Sequence, residues 1–125
     1  MTFKFSKRSR SKLQGVNPDL VKVMERAIEI TPIDFGITEG LRTVERQKQL
    51  YEAGASKTMN SKHLRGDAVD VVAYVGGQVS WDWPLYDAIA VAVKQAANEL
   101  DIDITWGGDW TTFKDGPHFE LRKNR

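Results

Sequence analysis

Residues 67–79 read DAVDVVAYVGGQV. Apolar and polar positions alternate through Ala68, Asp70, Val72 and Tyr74, the period of a strand whose alternate side chains share one face. Gly76-Gly77 supplies the positive backbone angles of a tight hairpin, so a second strand begins at Gln78 and Val79. A hairpin joined by two residues makes an antiparallel sheet, which argues against repeated βαβ units. Outward from it, Asn17-Pro18 reads as an N-cap followed by proline at the first helical position, with Leu20, Met24, Ala27 and Ile28 forming one apolar stripe as far as about Ile30. Ile33, Phe35 and Ile37 alternate as a short strand ended by Gly40. Thr43 caps a helix running to Gly54, and residues 54–66 read as loop. WPLYDAIAVAVKQAANEL is the longest helix, with Leu85, Ile89, Ala92, Val93, Ala96 and Leu100 on its buried side. Ile102, Ile104 and Trp106 alternate, Gly107-Gly108 breaks the strand, and a last strand spans Pro117 to Leu121. The fold class that follows is α+β: a small single domain, residues 1–125, with a largely antiparallel sheet packed against helices.

The size agrees: 125 residues with 41% hydrophobic and 28% charged content make one ordinary globular domain. The absence of cysteine removes disulfides, thiolate metal sites and thiol nucleophiles, leaving His, carboxylates, hydroxyls and amides for any site. No apolar run approaches the ~18 residues that cross a bilayer. The start MTFKFSKRSRSKL has no apolar stretch of the secretory kind, so synthesis in the cytoplasm without a signal peptide is expected. The net charge of +1 hides an asymmetry. Residues 1–12 carry five basic residues and no acid, and Arg122, Lys123 and Arg125 repeat this at the end, which leaves ten basic residues against all 17 acids in the body. Such a basic arm (about 1–12) and tail (about 122–125) either meet an anionic partner or are simply solvated. The acidic body and the lack of any nucleic-acid motif speak against nucleic acid.

Both histidines lie in polar segments, SKHLRGDAVD at 61–70 and DWTTFKDGPHFE at 109–120. A single histidine of this kind is usually structural. Two together, with a carboxylate and an open position, have the layout of a catalytic zinc site, although such a set also accepts other first-row metals. Asp70 is the strongest carboxylate candidate, because His63 enters its strand through a turn at Gly66. Asp115 stands three residues before His118 across Gly116-Pro117. It is either a turn-forming aspartate or a base leaning over a metal to take a proton from attacking water. Asp67 reads as solvent-facing. Asp109 either caps a turn or orients a ligand histidine, and Glu120 is a further candidate for orienting one. Trp106 and Trp110 are expected as cleft or core scaffolding, and Trp81 and Trp83 as packing at the start of the long helix.

Ser61-x-His63-x-x-Gly66-x-Ala68-x-Asp70 followed by Asp115-x-x-His118, with GGDW at 107–110 and FKDGPHFEL at 113–121, resembles the paired signature of the VanY-like zinc peptidases related to D-Ala-D-Ala carboxypeptidases and dipeptidases. The likeness spans about residues 16 to 121 and is greatest to single-domain phage endolysins of the L-alanyl-D-glutamate peptidase type. It implies a Hedgehog/D-Ala-D-Ala peptidase-like fold, a Zn2+ cofactor, His63, Asp70 and His118 as metal ligands, and Asp115 as catalytic base. It also implies that Ser61 binds substrate and that Arg42 steers a substrate carboxylate or polarises the attacked carbonyl. The substrate implied is the peptidoglycan stem peptide, cut by a monomer between L-alanine and D-glutamate during host lysis and reached through a holin-type membrane lesion. The basic ends would then meet an anionic wall or outer membrane. Related enzymes place Glu three before the last histidine, so Asp115 favours the endolysin branch; a D,D-carboxypeptidase or dipeptidase and a non-catalytic wall-binding module are the alternatives.

Overall fold

Asn17 opens the first long helix as the local sequence requires: its Oδ1 accepts from the Asp19 N–H at 3.0 Å, and Pro18 follows where no intrahelical N–H bond is lost. The computed structural model describes residues 2–56, 59, 61–112 and 114–122. In chain order the elements are α1 (Lys7–Lys12), α2 (Pro18–Ile30), β1 (Phe35–Glu39), α3 (Val44–Glu52), β2 (Ala68–Val75), β3 (Gln78–Ser80), α4 (Trp83–Leu100), β4 (Ile104–Trp106) and β5 (His118–Leu121). Short 3-10 turns at Lys62–Arg65 and Gly107–Asp109 precede β2 and follow β4.

The sheet runs β1-β2-β5-β4 with every pairing antiparallel, and β3 pairs with the far end of β2 through the expected Gly76-Gly77 turn. Val69, Val71 and Ala73 of β2 join Leu20, Val23 and Met24 of α2, Ile89, Val93 and Ala96 of α4, and Phe119 of β5 in one core. Asp70, with the opposite phase, stays outside that core. The stripe of α4 is shorter than its sequence suggests, because Leu100 is exposed beside the left-handed cap at Asp101. β1 begins at Phe35 rather than Ile33, since its register with β2 starts at Phe35↔Ala73.

The first twelve residues depart most from the sequence reading. They contain α1, whose N-cap is Ser6 and whose buried seam is Phe5, Ser9 and Leu13 at four-residue spacing. The Ile37 N–H of β1 donates to Ser9 Oγ at 3.0 Å, so a hydroxyl on this helix satisfies a backbone donor of β1. Lys4, Lys7, Arg8, Arg10 and Lys12 all remain exposed. The arm is therefore docked on β1 through its apolar seam, with its cations facing outward. In the basic tail, Lys123 and Arg125 lie outside the described residues.

Candidate active site

His63 comes from a turn that the sequence builds with two local devices. Ser61 Oγ accepts from the His63 N–H at 3.2 Å, and Gly66 closes the turn at φ +75°, where a Cβ would come 2.5 Å from the Gly15 carbonyl oxygen. That left-handed angle and that close approach together require glycine. The sheet supplies the other two residues by register: Asp70 of β2 lies opposite His118 of β5 and also pairs with Glu39 of β1.

The imidazole nitrogens are assigned by acceptor-only partners. His63 Nδ1 lies 3.0 Å from the Gly40 carbonyl oxygen and donates its proton there, which leaves Nε2 with a lone pair. That Nε2 is buried without a hydrogen-bond partner and sits 3.4 Å from Asp70 Oδ1. His118 Nε2 donates to Glu120 Oε1 at 2.8 Å, and its Nδ1 faces the same Asp70 oxygen at 3.2 Å. Three ligand atoms, one from each of His63, Asp70 and His118, thus lie within 4.8 Å of one another. A buried nitrogen with no partner and a second imidazole nitrogen, both beside one carboxylate oxygen, suit a divalent metal of the borderline kind that takes nitrogen ligands.

Electrostatics follow the same geometry. Burial works against the Asp70 carboxylate, but the hydrogen bond from His118 and the nearby His63 imidazole outweigh that and hold its pKa well below the usual range. Burial likewise disfavours the His118 imidazolium, yet Asp70 and Glu120 push its pKa up to about 9. Glu120 is also held low, despite burial, by His118 and by Lys62, whose Nζ stands 2.9 Å away. For Asp115 burial dominates and the Asp70 charge adds to it, raising its pKa. The Asp115 backbone is fixed by a hydrogen bond from its N–H to the Gly107 carbonyl (3.0 Å) and one from the His118 N–H to its own carbonyl (3.1 Å).

These groups line a cleft of about 850 Å³ that also contains Arg42, Ser61 and Trp110. Arg42, Ser61, His63, Asp70, Asp115 and His118 therefore border one cavity. Arg42 is nearly buried and heavily engaged: Nε and Nη2 donate to Glu39 at 2.9 and 2.7 Å, and Nη1 donates to Gln47 Oε1 at 2.6 Å. Gln47 is 0% exposed and passes the chain on, its Nε2 donating to Ser56 Oγ at 2.8 Å. Sequence reasoning missed Glu39 and Gln47. A glutamine within a polar helix carries no local sign that it will be buried, whereas Glu39, three residues before Arg42 at a strand end, had a legible ion-pair spacing.

Two readings are corrected. Asp67 does not face solvent: it accepts from Asn17 Nδ2 at 3.3 Å and ties the start of β2 to the cap of α2. Among the described residues the Asp109 side chain pairs with exposed Lys94 at 2.7 Å and with neither histidine nor a turn N–H. Glu120 does hold a histidine.

Residues 1–122 match the family described as phage L-alanyl-D-glutamate peptidase. The chain belongs to that family. The L-alanyl-D-glutamate peptidase of Escherichia phage T5 is 39% identical over 127 residues, covering 98% of this chain and 92% of that protein. The peptidoglycan L-alanyl-D-glutamate endopeptidase CwlK of Bacillus subtilis (strain 168) is 35% identical over 108 residues, 74% of this chain and 63% of that one. Among solved structures, the Serratia marcescens L-Ala D-Glu endopeptidase ChiX superposes with a TM-score of 0.91 at 49% identity, over 95% of this chain and 90% of its own. The small α+β domain with its antiparallel sheet is thus the family's fold.

Proposed function

We propose that this chain is a zinc-dependent endopeptidase that cleaves the bond between L-alanine and D-glutamate in the stem peptide of peptidoglycan. The observation that carries the reading is the convergence of His63 Nε2, Asp70 Oδ1 and His118 Nδ1 beside Asp115 in one cleft, in a chain whose relatives are peptidases for that bond. Zinc held by His63, Asp70 and His118 supplies Lewis acidity toward a carbonyl and an attacking water.

The remaining chemistry belongs to the chain's own residues. Asp115 takes the proton of the attacking water and returns it to the leaving D-glutamate amine. Arg42 has three of its five N–H donors committed to Glu39 and Gln47; the others meet the substrate's carboxylate or the oxyanion that develops on its carbonyl. Ser61 Oγ accepts from the His63 backbone, which leaves its O–H to orient substrate. The protein acts as a monomer on periplasmic peptidoglycan after a membrane lesion in host lysis, and the exposed cations of α1 hold it to an anionic wall or outer membrane. Among the described residues no helix is long and apolar enough to cross a membrane.

The test is mass spectrometry of purified Gram-negative peptidoglycan after incubation with wild type, with Asp115→Ala, and with chelated and then zinc-restored protein. New L-alanine carboxyl and D-glutamate amino termini, absent with the variant and restored by zinc, are expected. Release of D-alanine instead would move the protein to the carboxypeptidase branch.

A further inference from the structure

Trp81 and Trp83 pack at the start of α4 as expected, but on one side only, which leaves 66% and 43% of their surface exposed. Neighbouring apolar rings left open together are the kind of exposed patch that marks an interaction surface. Both are held from behind. Trp81 lies parallel to Tyr86, with ring centroids 6.1 Å apart and planes at 5°, and the buried Tyr86 hydroxyl accepts from the Ala73 N–H (3.1 Å) and donates to the Ser80 carbonyl (2.9 Å). Trp83 rests on Trp106, 6.2 Å between centroids, and Trp106 is locked by its Nε1–H donating to the Gly116 carbonyl at 2.7 Å. A Cβ at Gly116 would stand 3.1 Å from the Trp83 ring, so glycine lets the indole seat against this turn. Two indoles are thus fixed by hydrogen-bonded aromatic supports, with their outer surfaces open.

Trp83 also meets the turn that carries a cleft residue, because Gly116, against which its ring lies, directly follows Asp115. In peptidoglycan the amine of the stem's L-alanine is linked through a lactyl group to the sugar strand. A cut on the far side of that alanine leaves the sugar only one residue, about 3.5 Å of chain, plus the lactyl link from the scissile bond. Whatever holds the stem peptide must therefore have saccharide beside it. The C–H face of a pyranose ring packs on the electron-rich face of an indole. The charge also fits: exposed Asp82 between the two rings disfavours a polyanion and tolerates an N-acetylated sugar whose lactyl carboxyl is already an amide.

We propose that Trp81 and Trp83 form a stacking platform for the glycan strand of peptidoglycan, next to the turn that carries Asp115. The inference rests on the cleavage reading above and adds the part of the substrate that the cleft does not hold.

Two measurements on the full-length protein test it. The first titrates the β-1,4-linked tetramer of N-acetylglucosamine into wild type, Trp81→Ala, Trp83→Tyr and the double alanine variant, by calorimetry with folding checked by circular dichroism. Saturable binding is expected in wild type, with a loss of at least about tenfold in the double variant and retention in Trp83→Tyr, which keeps a ring. The second compares kcat/KM on intact sacculi with kcat/KM on the sugar-free stem peptide. The loss in Trp81→Ala should be at least about tenfold larger on sacculi. Equal losses on the two substrates, no oligosaccharide binding by wild type, or a wild-type dimer that the double variant dissolves in sedimentation would each overturn the platform. Wild type that cleaves neither substrate would defeat the cleavage reading, while the oligosaccharide titration would still decide whether the platform binds sugar.

Discussion

Asp70 is the residue on which the site turns, since one ring nitrogen of each imidazole faces one of its oxygens. In chelated protein this arrangement becomes an ion pair with a definite pH signature. The raised pKa of His118 means its stabilising contribution is complete below its ordinary 6.5 and is lost as pH rises through about 9. The depressed pKa of Asp70 means the same pair is present above its ordinary 3.8 and is lost as pH falls below that. Because the two shifts describe one interaction, the Tm of chelated protein should be highest between these limits and decline toward pH 9. A Tm that climbs steadily to pH 9 would contradict it. Asp115 gives a second prediction. Asp115→Asn should bind zinc like wild type and lose about 10²-fold or more in kcat. In chelated protein Asp115 should titrate above the ordinary aspartate range, because burial and the Asp70 charge both disfavour ionisation. Zinc stoichiometry by elemental analysis, kcat on the stem peptide and carboxyl titration of the chelated protein check both points.

At the scale of elements, the turn before β2 and the first helix are where backbone constraints fix function. Gly66→Ala places a side chain in a left-handed conformation and against the Gly15 carbonyl. The conformation alone costs about 1–2 kcal/mol, and the collision must displace the turn that presents His63. Urea unfolding should show the loss, and zinc affinity should fall with it; wild-type affinity in a destabilised variant would mean that the turn does not set the ligand's position. For α1, Ser9→Ala strands the Ile37 N–H and should cost about 1–3 kcal/mol. That the basic arm would be helical was poorly legible, because six residues are too short to announce a period and the helix exists by docking on β1. The α2 cap, by contrast, was readable residue by residue.

The charge of the whole molecule is divided between an acidic body and a cationic helix fastened to it. Removing residues 1–12 would also remove Phe5 and Ser9 from buried positions, so charge must be changed without cutting the chain. Replacing Lys7, Arg8 and Arg10 by serine should weaken sedimentation with sacculi at low salt and have little effect at physiological ionic strength and above, where exposed charges are screened over about 8 Å. Equal weakening at all salt concentrations would point to a contact other than a screened charge.

What the sequence determined by itself was local or periodic: the hairpin at Gly76-Gly77, the caps at Asn17 and Thr43, the alternation that puts Asp70 on one strand face with Ala68 and Val72, and the spacing of His63, Asp70, Asp115 and His118. These depend on backbone angles and on side-chain periods of 2 and 3.6, which neighbouring residues dictate. The tertiary structure alone decided which nitrogen each histidine offers, that Glu120 and not Asp109 supports one of them, and that Gln47 is buried against Arg42. It alone left Trp81 and Trp83 open. Burial and hydrogen-bond partnership across many residues of chain arise only when the sheet register and helix packing are complete, and no short window of sequence encodes them.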